Sequence, residues 1–407
     1  MIFFQSFSIV KKMQTIGDSM KFLHLFVPDS KFVNSIVDMW ETAYPGHNVF
    51  VVIKSTEHFF TDNDKIQILS ESPACINRVR QLMQQCDMGF IHYASKYCLK
   101  NFVNNSDFIW VWCSWGGDYV YYSNKILTFE TISLCIQTRP YLFKLISYFK
   151  EKIKSFRWYR KLKYRNVLSL WQQFKYVAPV LSCEYEFLQN DFPKMFNATV
   201  FEYTEGAFVD KNLRVDNSAK NIVVGNSAFP TNNHINVINM LKHLDLTGRK
   251  IFFPLSYGGT PIYKEQLQRE IKNAFGESGI IIDKFMPPDD YFSLLKGCSI
   301  AFMPGIRQMA VGNIINLLAM GVKIYLSKKS PTYKFFKERD FFVYSIEDDF
   351  LSDAVALAQL SESQKYQNHQ LILKYFSMDS VINKIYTMVD YIVKDNKYLQ
   401  KKQDNKK

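Results

Sequence analysis

The chain carries no C-x-x-C pair, and its seven cysteines (Cys75, Cys86, Cys98, Cys113, Cys135, Cys183 and Cys298) are scattered singly. That pattern speaks against a disulfide scaffold and a thiolate zinc site, and it fits a reducing compartment. The seven histidines form no H-x-x-x-H, so no structural metal is expected. No run of eighteen apolar residues occurs, which leaves no candidate spanning helix. The opening "MIFFQSFSIV" has its lysines after the apolar run and no small-residue cleavage site behind it, so it does not read as a signal peptide. Met20 heads the strand-like "MKFLHLFV", and residues 1–19 read as an upstream extension. Internal repeats, long Gly/Ser linkers and nucleic-acid module signatures are also missing. Acids are the scarcer charge, 38 against 50 Lys and Arg, and the net +12 calls for an acidic partner: nucleic acid, an anionic membrane or a phosphorylated substrate. A non-catalytic nucleic-acid binder is the remote alternative, since the basic residues concentrate in one segment.

What is present is a packed globular chain. Its 407 residues are 47% hydrophobic and 16% aromatic, and that length predicts two domains. Strand-like and helical stretches alternate: "KFLHLFV", a helical "SKFVNSIVDMWETAY", "HNVFVVI", then "KIQIL" and "DMGFIHYA". A clearer series opens near 221 with "NIVVGNS" and continues through "KIFFPLSYG", "GIIIDKF", "SIAFMP" and "VKIYLS", each separated by a helical pattern. Alternation of this kind predicts an α/β protein with doubly wound parallel sheets. The expected domains are residues 20–215 and 216–375, followed by a terminal helix and basic tail over 376–407.

Residues 144–165 hold nine Lys or Arg against a single acid, Glu151, interleaved with Phe149, Phe156, Trp158, Tyr159 and Tyr164. Such a segment is either a solvated helix face with aromatic anchors or a basic amphipathic element. On anionic lipid each cation near the surface is worth roughly 1 kcal/mol. The last fourteen residues, "KDNKYLQKKQDNKK", read as a disordered tail.

Ligands of doubly wound sheets bind beyond the carboxyl ends of the strands. Four such ends in the second series stand out. Gly225, Asn226 and Ser227 follow the first strand; Ser256, Tyr257 and Gly258 follow the second. Met286 with Pro287 and Pro288 follows the third, a wall for a flat base. "PGIRQMAVGN" follows the fourth and feeds a helix, whose amino terminus offers unpaired N–H groups to an anion. Gly312 would let a phosphate approach the backbone, Arg307 would supply a charge for a departing diphosphate, and Gln308 and Asn313 flank them. Taken together, the four ends predict a nucleotide pocket.

"VGNSAFPTNNH", "PLSYGG", "MPPDDYFSLLKGCSIAFM" and "RQMAVGNIINLLAMGVKIYLS" together resemble bacterial glycosyltransferase family 56, and "WVWCSWGGDYVYY" is similar to that family's Trp-Gly-x-Asp segment. The resemblance covers most of the chain and is densest over 221–327. It implies a GT-B enzyme with two Rossmann-like domains facing a cleft, the donor nucleotide-sugar on the carboxyl-terminal domain and the acceptor on the amino-terminal one, without metal or cofactor. It further implies a TDP-linked deoxy-amino sugar such as N-acetylfucosamine and an undecaprenyl-diphosphate-linked acceptor. The chain would then work as a peripheral protein on the cytoplasmic face of the inner membrane, with 144–165 docking on anionic lipid. A GT-B enzyme using another donor for O-antigen or capsule is the alternative. Where better-known GT-B enzymes carry two glutamates eight positions apart, this chain has Gln308 and Asn316; an amide bonds a ribose hydroxyl more weakly than a carboxylate.

Asp118 is the candidate general base for the acceptor hydroxyl, with Glu184, Glu186 and Glu205 as fallbacks. An aspartate after Gly-Gly is also a common turn residue. His24 and His234 read as structural. "DND" at 62–64 reads as a turn ahead of a strand, although Asp-x-Asp also chelates metal in single-Rossmann transferases.

Overall fold

Short apolar runs closed by turn residues form the central strands of this chain and are buried on both faces, as parallel strands covered by helices must be. The structure, a computed structural model, describes residues 19–26, 32–54, 63–104, 106–116, 118, 169–191, 198–204, 214–350 and 353–396. Residues 1–18 of the upstream extension, Asp62, the basic segment 144–165, Glu205 and the tail beyond Asn396 lie outside the described residues.

The first sheet holds seven strands: β1 (Phe22–Phe26), β2 (Asn48–Lys54), β3 (Ile66–Ser70), β4 (Met88–His92), β5 (Trp110–Cys113), β6 (Tyr176–Val177) and β7 (Thr199–Val200). Their order is β3-β2-β1-β4-β5-β6-β7, and every described pairing is parallel. Helices α1 (Val33–Ala43) and α2 (Pro73–Gln85) cross over within it. Ser72 caps α2 by accepting from Cys75 N at 3.1 Å, with proline in the first turn. Asn63 Oδ1 accepts from Lys65 N at 3.0 Å, an Asx turn that delivers the chain into β3. His24 is wholly buried in β1, 3.2 Å from His92 and stacked on Phe50 and Phe90. Burial holds both imidazoles well below their usual range, as neutral core residues.

Helix α3 (Ser182–Asp191) sits between the two sheets. Leu181 and Cys183 pack into the core of the second sheet, whereas Tyr185 packs into that of the first. The second sheet contains β8 (Asn221–Val224), β9 (Ile251–Pro254), β10 (Gly279–Ile282), β11 (Cys298–Met303), β12 (Lys323–Leu326) and β13 (Val343–Ser345), in the order β10-β9-β8-β11-β12-β13. It too is parallel throughout its described pairings. Its helices are α4 (His234–Leu241), α5 (Pro261–Phe275), α6 (Pro288–Lys296), α7 (Val311–Met320) and α8 (Pro331–Lys337).

Two helices close the chain, α9 (Glu362–Phe376) and α10 (Met378–Asp395). Ser361 and Gln364 form a capping box at the start of α9. The helix α10 leaves the second sheet and returns to the first. Val381, Ile385, Met388, Val389, Ile392 and Val393 pack with Phe22 and Trp40 in one core, each burial worth about 1.5–3 kcal/mol. Lys394 and Asp395, expected in the tail, are helical instead, and Asp395 accepts from Tyr176 Oη and Lys175 Nζ at 2.8 Å. Among the described residues no helix is long and apolar enough to cross a membrane.

Candidate functional site

All six residues of β11 are buried, so the chain can leave the sheet only at its carboxyl edge, through Pro304–Ala310 into α7. Asn233 Nδ2 donates to Pro304 O at 3.0 Å and anchors the start of this turn. At its end Ala310 is the N-cap of α7 with φ 59°, a left-handed backbone rare for a residue with a Cβ. No side chain caps the helix. Val311, Gly312 and Asn313, whose N–H groups have no acceptor inside the helix, line a cavity of about 300 Å³ between the two sheets. A Cβ on Gly312 would meet nothing within 4 Å, so the space over the helix start is open.

Arg307 lines the same cavity, braced by its own turn through Nη1 to Gln308 O at 2.9 Å. From β8 come Asn226 and Ser227, and from β9 comes Tyr257. Asn226 Nδ2 donates to Tyr257 Oη at 2.9 Å, and Ala228 N donates to Tyr257 O at 2.8 Å, so the two strand-end loops are laced together. Burial raises the Tyr257 phenol, opposed by its hydrogen bonds with Ser227 and Asn226 and by the Arg307 charge. Ser227 is held from behind by Asn232 Nδ2, at 2.8 Å to its carbonyl and 2.9 Å to its hydroxyl.

The other sequence-expected residues lie outside the lining of this cavity. Gly225, at φ 69°, gives the close approach that His234 needs: its missing Cβ would fall 2.6 Å from His234 Nε2. His234 is buried, 3.2 Å from Tyr263 Oη, and burial lowers its imidazole to about 3. Gly258, at φ 75°, carries the ring of Phe229 directly on its Cα, and that ring lines the cavity. Ser256 is half-buried beside Tyr257. Asn316 lies one turn into α7, buried, with Nδ2 bonded to Gly312 O at 2.8 Å. Met286 and Pro287 occupy the β10–α6 loop, next to Phe285, which is 74% exposed.

Asp118 is buried behind the cavity. One carboxylate oxygen accepts from Trp112 Nε1 at 2.7 Å and Ala94 N at 3.3 Å, the other from Trp115 N at 3.2 Å. Burial pushes its carboxyl up to about 6, against the pull of those donors. The bonds brace the turn after β5, whose Trp115 lines the cavity. Glu184 is wholly buried in the first turn of α3, and Glu186 pairs with Lys334 at 2.7 Å on the outside.

The amino-terminal half also brings Phe32, Val180 and Thr204 to the cavity, and nothing in the strand-end pattern points to them. Only the Trp-Gly-Gly-Asp turn carried a signal for that side. Among the described residues no group of three or more His, Cys, Asp or Glu is placed to hold a metal ion.

Comparison with known proteins adds a family and a fold. The model of the 4-alpha-L-fucosyltransferase family, glycosyl transferase group 56, matches residues 151–381, more than half of the chain. HepE from Anabaena, crystallised with UDP and glucose, superposes with a TM-score of 0.60 at 12% identity, covering 91% of this chain and all of that one. A glycosyltransferase from Rickettsia africae gives 0.60 at 11% identity, covering 93% of this chain and 100% of its own. Sucrose-phosphate synthase from Thermosynechococcus elongatus gives 0.61 at 7% identity, with 92% and 100% coverage. The shared architecture is GT-B, two parallel α/β sheets on either side of a cleft.

Proposed function

The chain belongs to group 56 of the glycosyltransferases, and on that premise we propose that it passes a deoxy-amino sugar from a nucleoside diphosphate to a polyprenyl-diphosphate-linked saccharide during bacterial surface-polysaccharide synthesis. TDP-N-acetylfucosamine is the donor this reading favours. The observation that carries the reading is the uncapped start of α7, which opens with Arg307 onto a cavity between the sheets.

Glycosyl transfer needs one thing above all from such a site. As the acceptor oxygen attacks the anomeric carbon, the bond to the diphosphate breaks, and the departing oxygen takes the electron pair. In this reading the N–H groups of Val311, Gly312 and Asn313 receive that charge together with the Arg307 guanidinium. A helix terminus contributes about 0.3–1 kcal/mol, and each charge-assisted hydrogen bond about 1.5–3. Asn226, Ser227 and Tyr257 then hold the sugar–phosphate side, Gln308 faces the acceptor side, and the exposed Phe285 with Met286 and Pro287 takes the base. Gly225, Ser256 and Gly258 shape the two loops, Asn316 supports the first turn from within the helix, and Asp118 keeps Trp115 at the acceptor side. The UDP and glucose held by the Anabaena protein of the same fold support a nucleotide-sugar donor. The cations of 144–165 support docking on an anionic membrane.

Thermal-shift titration with UDP, TDP, GDP and their sugars, with and without divalent metal, tests the reading. TDP and its sugars are expected to stabilise the wild-type chain most, and Arg307→Ala to weaken binding about 10- to 150-fold, the equivalent of one lost charged hydrogen bond. Preference for another nucleotide would point to a different donor on the same site. No shift with any of them would refute the site.

A further inference from the structure

The cavity between the sheets has two unlike walls. Asn226, Ser227, Tyr257, Arg307, Gln308 and Asn313 bring polar side chains to it from the second domain. The amino-terminal half contributes Phe32, Trp115, Val180 and Thr204. The Thr204 hydroxyl already donates to Val180 O at 3.3 Å, and the other three side chains are half-buried and apolar but for the indole N–H. Across the cavity from the start of α7 stands a largely apolar wall.

Trp115 is the largest side chain of that wall, and its place is fixed. Its backbone N donates to Asp118 Oδ1 at 3.2 Å. The Phe32 ring stands 5.7 Å from the Trp115 ring at 80°, and the Tyr93 ring 6.2 Å away at 63°. Gly116 follows Trp115 and Gln308 follows Arg307, and a Cβ on Gly116 would collide with Gln308 Oε1. The turns after β5 and β11 therefore touch at those two residues. Trp115 and Arg307, one residue before each, line a single cavity of about 300 Å³. That volume lies at the lower end of the range for ligand pockets, about 300–1,000 Å³.

A sugar bonded to a diphosphate cannot stray from it. With the diphosphate at the start of α7, the attached pyranose ring falls inside this cavity. Such a ring carries hydroxyls around its rim and C–H bonds on its faces, and these weakly positive hydrogens pack on the negative face of an aromatic ring. We infer that Trp115 is the platform for the sugar being transferred, a role that rests on the donor-site reading above. The second domain grips the nucleoside diphosphate, and the first domain reads the sugar attached to it.

The test is the Kd, by calorimetry, of TDP and of TDP-N-acetylfucosamine for wild type, Trp115→Leu and Trp115→Phe. Trp115→Leu should bind the nucleotide sugar about 10-fold more weakly and TDP within about twofold of wild type. Trp115→Phe keeps an aromatic face and should recover most of the loss. A Trp that only supported the fold would move both ligands or neither. Nucleotide-sugar affinity within about twofold in Trp115→Leu, an equal loss for TDP, or a Trp115→Phe no better than Trp115→Leu each overturns the platform. Should Trp115→Leu fail to fold, NMR of the wild type decides: transferred NOEs are expected between indole protons and the C–H protons of the bound sugar, and their absence overturns the inference. A wild-type chain that binds TDP and rejects TDP-N-acetylfucosamine overturns this inference alone. One that does not bind TDP overturns the donor-site reading and this inference together.

Discussion

Two turns leave the carboxyl edges of two buried strands, and they treat their backbone N–H groups in opposite ways. After β5, Asp118 folds its carboxylate back and takes the N–H groups of Ala94 and Trp115 and the Trp112 indole, so the turn satisfies itself. After β11, no side chain caps α7, its N-cap Ala310 is left-handed, and the first helical residues face an open cavity. The first turn is closed and serves as a brace. The second keeps its donors available at a cost in strain, as sites do whose partner arrives from outside.

The sharpest way to break the comparison is to plug the open turn. Gly312→Leu has room for its side chain, and that room is the cavity. Nucleoside diphosphate affinity measured by calorimetry should fall by about 100-fold or more, near 2.8 kcal/mol, with the melting temperature little changed. Unaltered affinity would place the anion elsewhere.

Asp118 sharpens the other side. Because burial lifts its carboxyl to about 6, the folded chain holds that proton more tightly than the unfolded chain, where aspartate titrates near 4. The stability this group contributes is whole below about pH 4 and is lost as pH rises through about 6, an effect of about 3 kcal/mol. Urea denaturation between pH 4 and 7 should show that decline in the wild type, and Asp118→Asn should flatten it. A wild-type curve without the decline would contradict the buried brace.

The smallest expected effect comes from the strained N-cap. Ala310→Gly relieves a left-handed alanine and should stabilise the chain by about 1 kcal/mol while leaving nucleotide affinity within about twofold. A large loss of affinity would mean that the methyl group itself shapes the site.

Much of the second sheet was legible because buried parallel strands are near-continuous apolar runs; "SIAFM" and "KIYL" can hardly be anything else. In the first sheet, β6 and β7 span two residues each, too short for any periodicity to register. The return of α10 to the first core rests on tertiary packing, which spacing along one helix does not reveal. At the site, polar and bare residues at strand ends led to Asn226, Ser227, Tyr257, Arg307, Gln308, Gly312 and Asn313, which do line one cavity. Met286, Pro287 and Asn316 lie outside that lining because a strand end fixes an edge and leaves side-chain direction open.

A crystal structure with TDP bound tests the central claim most directly. The β-phosphate is expected within hydrogen-bond reach of the Gly312 and Asn313 N–H groups at the start of α7 and of the Arg307 guanidinium. A diphosphate seated against the first sheet, with the start of α7 facing only solvent, would contradict the claim.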